Sequence, residues 1–67
     1  MKYYVNQNAQ STGEHEVHKE GCSHFPKEAN ARYLGAYSNC RDAINKAKEL
    51  YSNVDGCAYC VPECHKR

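Results

Sequence analysis

A small α+β fold is what this chain predicts: a two- or three-stranded antiparallel sheet with one main helix packed on it, in a single domain over residues 1–67. Three observations lead there. Short aromatic and β-branched runs, around Tyr3-Tyr4-Val5, Val17-His18 and Tyr33-Leu34, are separated by polar, turn-rich stretches. One segment after Asn39 carries apolar residues at helical spacing. Finally, the large apolar residues Met1, Val5, Val17, Phe25, Leu34, Ile44, Leu50, Val54 and Val61 are too few for a substantial core, so six tyrosines do much of the filling. Domains below roughly 70–80 residues gain only about 3–5 kcal/mol from such a core and use cross-links or a metal as well.

Each element follows from its residues. Tyr3-Tyr4-Val5 begins a strand, and the polar residues 6–13 form a loop. Residues 14–18 alternate weakly and end in Val17-His18 as a second strand, after which Gly21 permits a tight turn before Cys22. Pro26 and the run 27–30 make a second loop. Residues 32–37 form a third strand, with Tyr33, Gly35 and Tyr37 on one face and Leu34 and Ala36 on the other.

The helix carries the strongest local signal. Asn39 (or Ser38) serves as N-cap, and Asp42 three residues on completes a capping-box-like pair. Cys40, Ala43, Ile44, Ala47, Leu50 and Tyr51 then fall on one apolar stripe, opposite Arg41, Asn45, Lys46, Lys48 and Glu49. Asp55-Gly56 reads as a turn leading straight into Cys57, and Pro62 stops the last segment from continuing a helix.

Two half-sites carry the chemistry. His18 and Cys22 stand in an HxxxC, and Cys57 and Cys60 in a CxxC. Together they supply one imidazole and three thiolates, the ligand set of a closed tetrahedral zinc centre, so the expected cofactor is Zn²⁺. The zinc would pin the hairpin, residues 14–22, to the end of the helix, making the chain a small zinc-stabilised domain. Cys64 and His65 follow the CxxC closely, and either could replace His18 as fourth ligand. His15 and His24 read as solvated surface histidines. Cys40 reads as a buried structural thiol, and Cys64 as a free thiol if His18 binds the metal. A redox CxxC of the thioredoxin type opens a helix in a βαβ unit, whereas this pair follows one.

The expected compartment favours metal over disulfides. The N-terminal residues lack the apolar run of a signal peptide, and no stretch approaches a membrane span. The expectation is a cytoplasmic protein with reduced thiols, and the odd count of five cysteines fits a disulfide framework poorly.

The order His18-x₃-Cys22, a strand at residues 33–37, Ala43-Ile44 in a helix, and Cys57-x₂-Cys60 followed by Pro62 resembles the Ada-type metal-binding module. It is also similar to small modules appended to some bacterial nucleases. The resemblance spans residues 14–62 and implies metal ligation by Cys22, Cys57, Cys60 and the position of His18. In the Ada module the first ligand is a cysteine that takes a methyl group from a DNA phosphotriester. Here that position is His18, and a metal-bound imidazole is not such an acceptor, so the resemblance implies ligation without methyl transfer.

The function expected first is that of a structural zinc module, not an enzyme, acting as a monomeric binding or adaptor protein. Its partner would be a protein, contacted by exposed tyrosines, although core filling is the simpler role for most of them. The second reading is nucleic-acid binding, with Tyr3, Tyr4, Tyr33 and Tyr37 stacking bases and Lys46, Lys48, Lys66 and Arg67 on phosphates. Charge opposes it: the formal net charge is +1, and three thiolates with one Zn²⁺ bring that near zero. A metal-dependent or redox enzyme is the third reading, and Glu63 is the sole acid beside the CxxC.

Overall fold

The structure is a computed structural model and describes residues 1–66; Arg67, one of the cations assigned above to phosphate contact, lies outside the described residues. Among them run β1 (Lys2–Asn6), β2 (His15–Lys19), β3 (Ala31–Ala36), α1 (Cys40–Lys48) and β4 (Val54–Gly56), with short 3₁₀ turns at Glu28–Asn30 and Pro62–Cys64. One helix packs on one sheet, the α+β class expected. The sheet, however, has four strands in the order β3-β1-β2-β4, not two or three. It is also mixed: β1 pairs antiparallel with β2 and β3, while β2 and β4 run parallel.

Alternation along β1 and β2 creates two faces. Tyr3, Val5 and Val17 point to the helix side, where with Leu34, Ala43, Ala47 and Val61 they form the buried core. Tyr4 and His18 stand opposite each other in register and occupy the outer face. The register between β1 and β3 shifts at Tyr3/Tyr4. There Gly35 takes φ +133°, and a Cβ on it would meet the Tyr37 ring at 3.0–3.2 Å. Glycine therefore lets Tyr37 fold back, where its hydroxyl donates to the Leu34 carbonyl at 2.9 Å.

The helix begins as its sequence dictates. The Asn39 side chain accepts from the Asp42 amide at 3.0 Å and donates to the Asp42 carboxylate at 3.3 Å. It closes earlier than the stripe predicts: both the Leu50 and Tyr51 amides donate to the Ala47 carbonyl. Leu50 consequently leaves the stripe and is 42% exposed.

The larger correction concerns Cys40 and Cys64, which form a disulfide across 24 residues. Cys40 is not an isolated buried thiol, and Cys64 is neither free nor a ligand candidate. The five cysteines divide into three thiols and one pair because the first turn of α1 lies against Pro62–Cys64. A loop of that length stabilises by about 3 kcal/mol through the unfolded chain. A Cys64→Ser variant should therefore lose about 3 kcal/mol in non-reducing denaturant titrations. It should still bind metal with unchanged stoichiometry.

Candidate metal centre

The parallel pairing of β2 with β4 builds this site. Parallel strands end side by side, so the residues leaving their carboxyl ends are neighbours. His15, Glu16 and Val17 pair with Val54, Asp55 and Gly56, and the Cys57 amide extends the ladder to the Val17 carbonyl at 2.9 Å. His18 and Cys57 are thus delivered to one place by strand register. The second half-site issues from β4, not from the end of the helix as the sequence suggested.

Two tight turns add the remaining candidate donors. After β2 the chain reverses through Glu20 and Gly21, whose φ is +87°, and the Cys22 amide donates to the Lys19 carbonyl at 3.2 Å. After β4 the CxxC curls back so that the Val61 amide donates to the Cys57 carbonyl at 2.8 Å. Val61 is buried in the core, which anchors this turn.

His18, Cys22, Cys57 and Cys60 are brought together with their ligand atoms all within 4.8 Å of one another, and this group could hold a metal ion. The Sγ atoms of Cys22 and Cys57 are 3.8 Å apart, and Cys60 Sγ lies 3.8 Å from His18 Nδ1. A tetrahedral ion with metal–sulfur bonds of about 2.3 Å sets sulfur–sulfur edges of about 3.8 Å. The donor set and its spacing therefore fit a tetrahedral ion. His18 and Cys57 are each only 1% exposed.

Hydrogen bonds reach the candidate donors. The Lys19 amide donates to Cys60 Sγ at 3.3 Å, a contact that favours thiolate over thiol there, and the His24 amide donates to Cys22 Sγ at 3.4 Å. On the far side of the imidazole, His18 Nε2 lies 3.4 Å from a Glu16 carboxylate oxygen. A proton held there on Nε2 leaves the Nδ1 lone pair facing the sulfurs, the arrangement by which a carboxylate orients a ligating histidine. Sequence reading missed Glu16; its position two residues before His18 on one strand, hence on the same face, is the signal that could have found it.

Burial sets the proton inventory. It pushes the Cys60 thiol up to about 12, helped by hydrogen bonds with Cys22 and Cys57, and it lowers His18 below the usual imidazole value. Glu16 is raised, first by burial and then by the nearby Asp55. Without a cation the pocket favours a neutral Cys60 thiol and a neutral His18 imidazole. Loading an ion expels thiol protons, so acid opposes it. A Glu16→Gln variant should bind metal about 10–100-fold more weakly in chelator competition while keeping its fold.

The other candidates lie elsewhere. His65 Nδ1 donates to the Gly56 carbonyl at 2.8 Å and sits 3.3 Å from Asp55, tying the C-terminal turn to β4. His24 is exposed, as expected, and its ring stacks on Tyr59 at 3.8 Å, bridging the two ligand loops. His15 is not a solvated histidine: it is half-buried, stacks on Tyr51 at 3.7 Å and donates to the Asn6 carbonyl at 3.0 Å. Tyr3 is buried in the core and Tyr37 is half-buried against it, while Tyr4 and Tyr33 sit together with ring centroids 5.2 Å apart. Lys46 and Lys48 are on the helix, across the sheet from Tyr4.

No protein-family model, curated protein or solved structure matches this chain. No helix among the described residues is long and apolar enough to cross a membrane.

Proposed function

We propose that this is a structural zinc-binding module that works as a small binding or adaptor protein. The observation that carries the reading is the convergence of three cysteines and one histidine, which would give a tetrahedral ion four protein donors. Catalytic zinc keeps a position open for water, and a closed set does not. Thiolate-rich ligation with one imidazole at tetrahedral spacing favours zinc among the common divalent ions. The three ligand thiols must stay reduced while Cys40 and Cys64 are paired, so the cysteines do not single out the cytoplasm. Tyr33 and Tyr59, 55% and 71% exposed, are the side chains we assign to protein contact.

Cobalt substitution tests the closed centre. The Co²⁺ protein should show the intense visible absorption of a four-coordinate tetrahedral ion with sulfur-to-metal charge transfer. Added cyanide or azide should leave that spectrum unchanged. A spectrum that shifts with such anions would mean an open position and would favour the enzymatic reading.

A further inference from the structure

We propose that the outer face of the sheet carries a second binding site, a groove that takes a quaternary ammonium group. The groove encloses about 470 Å³ and is lined by Tyr4, Gly21, Phe25 and Pro26, with Glu20 and Glu28 also on its walls. Its aromatic walls form a corner: the Tyr4 and Phe25 rings are 5.1 Å apart at 82°. Behind Tyr4 stands Tyr33, and Phe25 also rests edge-on against His18 at 5.9 Å. The corner is therefore braced by β3 on one side and by a metal-ligand residue on the other.

Two carboxylates complete it. Glu20 and Glu28 approach from different loops, and no ion pair among the described residues engages either. An aromatic face left open beside this edge-to-face pair, with unneutralised carboxylates next to it, attracts a cation. The remaining walls choose among cations. Gly21, Pro26 and Ala31 offer apolar contact and no side-chain acceptor. A primary ammonium would be drawn to the Glu20 and Glu28 carboxylates and keep its water, whereas a trimethylammonium group has no N–H to satisfy and can rest its methyl groups on the rings and the apolar walls. Two sources share that chemistry, a free choline-like molecule and a trimethylated lysine side chain. The site is independent of the adaptor reading.

The test is an amide NMR titration of the zinc-loaded protein with choline and with its neutral isostere 3,3-dimethylbutan-1-ol. Choline should shift resonances of Tyr4 and of residues 20–28, and the isostere should bind about tenfold more weakly. A Glu20→Gln/Glu28→Gln double variant, on exposed positions, should lose most of the preference for choline. Equal binding of both probes, or no shift with choline at millimolar concentration, overturns the proposal. Because that comparison uses the unaltered protein, it does not depend on any variant folding. Peptides carrying lysine or trimethyl-lysine form the second arm. Tighter binding of the methylated peptide than of choline assigns the site to a modified side chain, and the reverse assigns it to a free metabolite.

Discussion

Replacing Cys57 by serine is expected to abolish useful metal binding and to leave the chain without a stable fold. Cys57 is the pivot of the structure. Its amide extends the β2–β4 ladder, its carbonyl closes the CxxC turn, and its sulfur lies 3.8 Å from Cys22 in the ligand cluster. Structural zinc in small finger peptides contributes about 10–16 kcal/mol of apparent binding, or about 3 kcal/mol for each of four ligands, a factor above about a hundred in affinity. The core cannot absorb that loss: it consists of three valines, one leucine, two alanines and one tyrosine. The serine hydroxyl would also be buried at a position 1% exposed. Chelator competition should show an affinity drop of more than about a hundredfold, and the amide spectrum should lose dispersion. A variant that retains native dispersion and affinity would remove Cys57 from the centre.

The second large effect belongs to Gly56. A methyl group there would lie 2.8 Å from the Val61 carbonyl oxygen and 2.9 Å from the Cys64 carbonyl carbon and oxygen. These are backbone atoms, so no side chain can swing away. The turn they belong to is held by the Cys40–Cys64 disulfide, by buried Val61 and by His65 on the Gly56 carbonyl. Relief would have to move β4 from β2, and with it Cys57 from His18. Gly56→Ala should therefore cost about 3 kcal/mol, near the upper end for overpacking, and lower Tm by about 10–20 °C. Metal affinity should fall with it, since strand and ligand move together. A melting temperature within a degree or two of the parent would show that the turn yields freely.

These two residues mark where sequence reading ended. The helix was legible because Asn39 caps it and its apolar residues recur at helical spacing. The first three strands were legible because aromatic and β-branched residues mark them to within a residue or so. β4 was not, since Val-Asp-Gly carries no strand signal and Asp-Gly favours a turn. What makes it a strand is a non-local parallel pairing with β2, and the buried Asp55 is held there by Lys66 and His65. Spacing named the four residues that converge. It left Cys64 and His65 as rivals to His18, and packing separates them: Cys64 meets Cys40 on α1, and His65 turns back to Gly56. The cysteine count alone could not reveal the division into three thiols and one disulfide, because Cys40 and Cys64 meet only once α1 has crossed the sheet.

The central claim is that an ion held by His18, Cys22, Cys57 and Cys60 keeps this chain folded. Native mass spectrometry with metal analysis on protein purified anaerobically with the Cys40–Cys64 disulfide intact, read beside its amide spectrum before and after chelation, addresses it most directly. The account predicts one zinc per chain, with dispersion lost when the metal is removed and regained when it is restored. A metal-free protein with a fully dispersed spectrum would contradict it, and the three thiols would then have to be read as core or redox groups.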